Sequence, residues 1–122
     1  MNQSYQKGMT YEAQAARWLQ EQGYEILWRN FRCRYGEIDI IARDQETFVF
    51  VEVKYRSRHK FGSPEEAITA AKQRHISNVA LYYMKKYVGS LQVSCRFDVV
   101  CMENGSCRLY RHAFSYCGDF SI

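Results

Sequence analysis

The chain has 122 residues, 47% of them hydrophobic and 25% charged, with a formal net charge of +4. This composition excludes an intrinsically disordered chain and suits one domain, residues 1–122, around a single core. The polar N-terminus carries no signal-peptide pattern and no apolar run is long enough to span a bilayer. The five cysteines, Cys33, Cys95, Cys101, Cys107 and Cys117, are scattered without a C-x-x-C pair, which opposes a disulfide framework or a zinc ribbon and reads as small core residues in a reducing cytoplasm.

In chain order, Met1 to Gly8 reads as a flexible start. A helix follows, with Thr10 as N-cap and Gly23 as stop; Tyr11, Ala15, Trp18, Leu19 and Gln22 share its apolar face, widened by Ala16. Glu12 falls in the first turn, where a carboxylate favours the helix dipole. Tyr24 to Phe31 is a β-like run centred on Ile26, Leu27 and Trp28, and Cys33-Arg34-Tyr35-Gly36 turns it back.

Gly36 to Lys54 then reads as two strands joined by Asp44-Gln45-Glu46, so that three successive strands form a meander. Strand alternation puts Glu37 and Asp39 on one face of the first, and Glu52 and Lys54 on one face of the second, opposite Val49, Val51 and Val53. Charges on otherwise apolar strands are costly unless paired or bound to a metal. The stretch is therefore an ion-pair network of Glu37, Asp39, Glu52 and Lys54, or a cation site.

Tyr55 to Gly62 is a basic loop. Ser63-Pro64-Glu65-Glu66 has the form of a capping box with proline at the first helical position. The second helix is predicted from there to about Lys86, ended by Gly89, with Ile68, Ala71, Lys72, His75, Ile76, Val79 and Tyr83 on its face. His75 is read as a packed residue rather than a ligand. Leu91 to Met102 is β-like, Asn104-Gly105 is a hairpin signal, and Ser106 to His112 is the returning strand, followed by a weakly specified tail. A long crossover helix allows the strand after it to pair parallel to an earlier one. The predicted class is α/β, in αβββαββ order, with one mixed sheet flanked by helices.

Asp39 and Glu52 can share Mg²⁺ or Mn²⁺ through hard oxygen ligands, with the carbonyl of Val53 as a further donor. Such an ion binds a phosphate oxygen and lowers the pKa of a bound water. Lys54 would orient the water and offset transition-state charge. Arg32 and Arg34 before the acidic stretch, and Arg56, Arg58 and Lys60 after it, form a basic rim suited to a polyanion.

The order of elements, with Asp39 and Glu52-Val53-Lys54, resembles the PD-(D/E)XK nuclease superfamily. Gly36-Glu37-Ile38-Asp39-Ile40-Ile41-Ala42, Phe50-Val51-Glu52-Val53-Lys54-Tyr55-Arg56, Lys72-Gln73-Arg74 and Arg96-Phe97-Asp98-Val99-Val100 look like the YraN-like family, small bacterial proteins similar in their core to archaeal Holliday-junction resolvases. Ile38 precedes Asp39 in place of the proline of the superfamily's name, a proline that many members also lack. The resemblance implies a restriction-endonuclease-like fold and Mg²⁺-dependent phosphodiester cleavage of branched or structured DNA. It makes Asp39 and Glu52 metal ligands and Lys54 the catalytic lysine. Glu12 becomes the helix carboxylate completing the metal shell, and Gln73 a site-facing glutamine. A homodimer follows by analogy with resolvases. The alternative is a catalytically inactive nucleic-acid-binding module in DNA repair, recombination or uptake.

Overall fold

Thr10 is extended, and its hydroxyl accepts from the Ala13 N–H at 3.1 Å, starting helix α1 at Tyr11–Glu21. Here and below, the computed structural model describes residues 9–56, 68–103 and 105–119, apart from the side chain of Arg56. The proposed flexible start at Met1 to Gly8, the Ser63–Glu66 box, Arg58, Lys60 and Asn104 lie outside them. Ala15, Ala16 and Leu19 are the buried residues of α1, whereas Tyr11 and Gln22 are exposed.

Strands β1 (Glu25–Cys33), β2 (Gly36–Asp44) and β3 (Thr47–Arg56) form the predicted meander. Helix α2 (Ala70–Tyr83) crosses to β4 (Cys95–Glu103), which pairs parallel with β3, and β5 (Ser106–Phe114) returns antiparallel. The sheet order is β1-β2-β3-β4-β5. Each helix covers one face. Ala15, Leu19, Ile40, Val49, Val51 and Val100 form the core under α1; Phe31, Ile41, Phe50, Ile76, Val79 and Phe97 form the core under α2. A mixed sheet flanked by helices in this order is the restriction-endonuclease-like arrangement anticipated from sequence.

Three expectations need correction. The helix carrying Lys72 begins at Ala70, not at Ser63: Thr69 is extended and its hydroxyl accepts from the Lys72 N–H at 3.1 Å. His75 is exposed rather than packed, because the buried stripe runs through Ile76, Val79, Ala80 and Tyr83. Of the cysteines only Cys101, on the covered strand β4, is buried; Cys95 begins that strand exposed, Cys117 lies exposed beyond β5, and all five are free thiols. Strand β4 also starts later than Leu91. The end of α2 widens into a π-helical turn, Met84–Val88, closed by Gly89 at φ +82°, whose N–H donates to the Met84 carbonyl at 2.8 Å.

The core under α1 encloses a charged cluster that sequence patterning did not anticipate. Arg96 Nε donates to both oxygens of the fully buried Asp98 at 3.1 and 3.0 Å. Arg96 Nη2 reaches Asp44 at 3.2 Å and the Tyr24 hydroxyl. Asp98 also accepts from the His112 N–H at 3.1 Å, where the β4–β5 register shifts.

The Thr69 cap stabilises the turn that carries Lys72. Thr69→Ala is expected to cost about 1 kcal/mol, read by denaturant unfolding, with Thr69→Ser recovering most of it.

Candidate active site

Strands β2 and β3 pair from Asp44↔Thr47 only as far as Ile40↔Val51. Beyond that point a side chain replaces the ladder: Asp39 Oδ2 accepts from the Val53 N–H at 2.8 Å. The chain also rotates here. Ile38 packs into the core under α2 and Ile40 into the core under α1, although simple alternation would put both on one face. On β1, Asn30 lies between the pairs Arg29↔Ile40 and Phe31↔Ile38 and takes a left-handed φ of +55°. An asparagine tolerates that conformation better than most residues. The kink across β1 and β2 thus opens the sheet at Asp39.

Glu52 follows Phe50 by one strand period and projects toward α2, where it is 6% exposed. Its Oε2 lies 3.7 Å from Lys54 Nζ and 3.5 Å from Lys72 Nζ. Burial, then the negative charge of Asp39 and a hydrogen bond with it, push the Glu52 carboxyl up to about 7, although Lys72 and Lys54 pull the other way. Two carboxyl groups at hydrogen-bonding distance resist both being ionised, and two half-exposed ammonium groups only partly relieve them.

Asp39, Glu52, Val53 and Lys54 are therefore brought together as the sequence anticipates. Glu12 and Gln73 are not. Glu12 sits half-buried in the first turn of α1, and among the described residues no three His, Cys, Asp or Glu side chains converge on one point. Gln73 turns backward, its Nε2 donating to the Ile68 carbonyl at 3.0 Å. In the proposed basic rim, Arg32 pairs with Glu37 at 2.8 Å across the β1–β2 hairpin, and Arg34 stacks over Tyr35 at 5.0 Å. Glu37 therefore faces Arg32 rather than joining an ion-pair network with Lys54. Tyr11 of α1 stacks on Tyr55 beside Lys54, with ring centroids 4.1 Å apart.

The residue that sequence reasoning missed at the site is Lys72. Its signal was a lysine in line with Ile76, Val79 and Tyr83 on the helix face, at offsets of four, seven and eleven. A cation on an apolar stripe is a candidate partner for a buried acid.

Comparison with known proteins places this geometry in a family. The model described as "Uncharacterised protein family UPF0102" matches residues 11–102. The chain belongs to the UPF0102 family. It is the YraN-like group of the PD-(D/E)XK superfamily that the motifs resemble. The matched span runs from the start of α1 into β4 and contains Asp39, Glu52, Lys54 and Lys72. Relatives carrying the UPF0102 name include one from Lachnoclostridium phytofermentans, 52% identical over 113 residues, covering 93% of this chain and 96% of the relative. Another, from Desulfosudis oleivorans, is 46% identical over 116 residues, covering 93% and 94%. A third, from Aeromonas hydrophila, is 42% identical over 109 residues, covering 88% and 84%. Among the described residues, no helix of this UPF0102 chain is long and apolar enough to cross a membrane.

Proposed function

We propose that this UPF0102 protein is a Mg²⁺-dependent endonuclease-like protein that hydrolyses phosphodiester bonds in branched or structured DNA. One observation carries the reading. At the point where β2 and β3 part, a buried glutamate is held against an aspartate, with a strand lysine two residues on, and its carboxyl is driven up to about 7. Structural ion pairs seldom hold two acids together at such a cost; sites built for a cation or a proton do.

The donor set fits a hard divalent cation: the carboxylates of Asp39 and Glu52 and the carbonyl of Val53, whose N–H is already committed to Asp39. Mg²⁺ or Mn²⁺ bound there would neutralise the acid pair, polarise a phosphate oxygen and lower the pKa of a bound water. Lys54 would be released from Glu52 to face the phosphate, and Lys72 would offset charge from the helix side. Asp39 fixes the backbone of Val53 and so the direction in which Glu52 and Lys54 leave the strand. Backbone and shape, rather than base edges, are what so small a protein can read.

A second reading, a nucleic-acid-binding module without turnover, is favoured by the absence of a third converging carboxylate among the described residues. There the two lysines would serve as the standing counter-ions of Glu52.

Metal linkage tests the site. Mg²⁺ or Mn²⁺ should raise the melting temperature, with a stabilisation of about 2.7 kcal/mol at one hundred times Kd. Asp39→Asn should abolish that increment. An equal metal response in the variant would remove Asp39 from the site.

A further inference from the structure

The far end of α2 carries a feature that the acidic site does not use. Trp28 on β1 and Tyr87 on the π-helical turn are large aromatic side chains left 39% and 47% exposed. They meet at 5.1 Å and continue a series of rings: Tyr87 stacks on Tyr83 at 5.3 Å and 29°, Tyr82 lies 6.3 Å from Phe31, and Tyr35 lies 6.0 Å from Tyr82. Cations are interleaved with these rings. Lys86 Nζ sits 5.4 Å from the Tyr82 ring and 5.6 Å from the Tyr87 ring, and donates to the Tyr82 hydroxyl at 3.0 Å. Arg34 lies over Tyr35 at 5.0 Å. The geometry of this end is unusual in itself, since π-helical turns are rare and concentrate at functional sites.

The series lies at the opposite end of α2 from the acidic pair. Lys72, Ile76, Val79 and Tyr83 fall on one stripe of α2. Lys72 at its start reaches Glu52, and Tyr83 at its end belongs to the aromatic series. Eleven residues at helical rise separate them by roughly 16 Å. Exposed aromatic faces alternating with cations are how proteins hold unpaired bases while tracking a phosphate backbone. A duplex, with its bases stacked internally, offers nothing for Trp28 and Tyr87 to stack against.

We propose that Trp28, Tyr87, Tyr82 and Lys86 form a platform for single-stranded DNA, the unpaired arm of a branched substrate whose scissile phosphate lies at Asp39 and Glu52. The substrate class rests on the nuclease reading above; the platform itself makes its own forecast. Wild type should bind a single-stranded oligonucleotide more tightly than a blunt duplex of equal length, measured by anisotropy in EDTA. Tyr87→Ala should weaken single-strand binding roughly five- to a hundredfold and leave duplex binding unchanged, while Tyr87→Phe keeps wild-type affinity. Without any variant at Tyr87, the oligonucleotide should quench tryptophan emission of the wild-type chain, and Trp28→Phe should remove that quenching.

Equal binding by wild type and Tyr87→Ala, or equal losses for single strand and duplex, would overturn the proposal. So would a sedimenting dimer that Tyr87→Ala dissociates while single-strand affinity is kept, since the surface would then join two copies of the chain. Tyr87-dependent binding without cleavage of any DNA would leave the platform standing and sink the nuclease reading. Cleavage of branched DNA by wild type and Tyr87→Ala alike, with unaltered single-strand affinity, would do the reverse.

Discussion

Asp98→Ala is expected to destabilise the protein by about 3–5 kcal/mol, the usual cost of removing one partner from a buried ion pair. Asp98 is fully buried and Arg96 is 8% exposed, so the guanidinium left behind has little access to water. Asp44, itself a quarter exposed, holds only one nitrogen of Arg96, at 3.2 Å. The His112 N–H at the β4–β5 register shift also loses its acceptor. Denaturant unfolding reads the loss. The double variant Arg96→Met with Asp98→Leu should recover much of it, because both buried charges go together. A single variant within about 0.5 kcal/mol of wild type, the range of ordinary surface substitutions, would show that the cluster is not a structural keystone.

Glu52→Gln is expected to remove a fall in stability between about pH 5 and pH 8 that the wild-type chain shows. The Glu52 carboxyl titrates near 7 in the folded chain against an ordinary 4.5. Between those values the folded state keeps a proton that the unfolded state has released, so this group's contribution falls as pH rises through the window and is fully lost above it. The total is about 3 kcal/mol, of which roughly 2 to 3 should appear between pH 5 and pH 8. The stability difference between Glu52→Gln and wild type should therefore grow in the variant's favour over that range. Saturating Mg²⁺ at pH 8 should close the gap by stabilising the wild-type carboxylate. If the difference is flat with pH, Glu52 is ionised throughout and the lysines dominate it, as in a plain ion pair.

Several parts of this architecture were legible in the sequence because they depend on local chemistry. Thr10 and Gly23 bracket α1 through capping and a left-handed stop, and strand alternation correctly sent Glu52 away from Val49 and Val51. The parallel β3–β4 pairing followed from the long crossover. What failed depended on three-dimensional context. Ser63-Pro64 has a stronger capping pattern than Thr69, yet Thr69 starts the helix that carries Lys72. Alternation alone cannot show the rotation at Asp39, which requires Asn30 to turn left-handed on the neighbouring strand. Nor could Arg96 and Asp98, two residues apart on one strand, be recognised as a buried pair before Tyr24 and Asp44 were seen beside them. At the site, the motif named Asp39, Glu52 and Lys54, while Lys72, already on the predicted helix face, showed its pairing with Glu52 only once α2 was seen packed over β3.

The most direct test of the central claim is cleavage itself. End-labelled branched DNA is incubated with wild type and with Glu52→Gln, in Mg²⁺ or Mn²⁺ and in EDTA, and the products are resolved on a denaturing gel. The acidic pair as a metal-dependent hydrolytic site predicts strand cleavage by wild type only with metal, and none by Glu52→Gln in either condition. Absence of product from wild type with both metals, or product undiminished in Glu52→Gln, would contradict it.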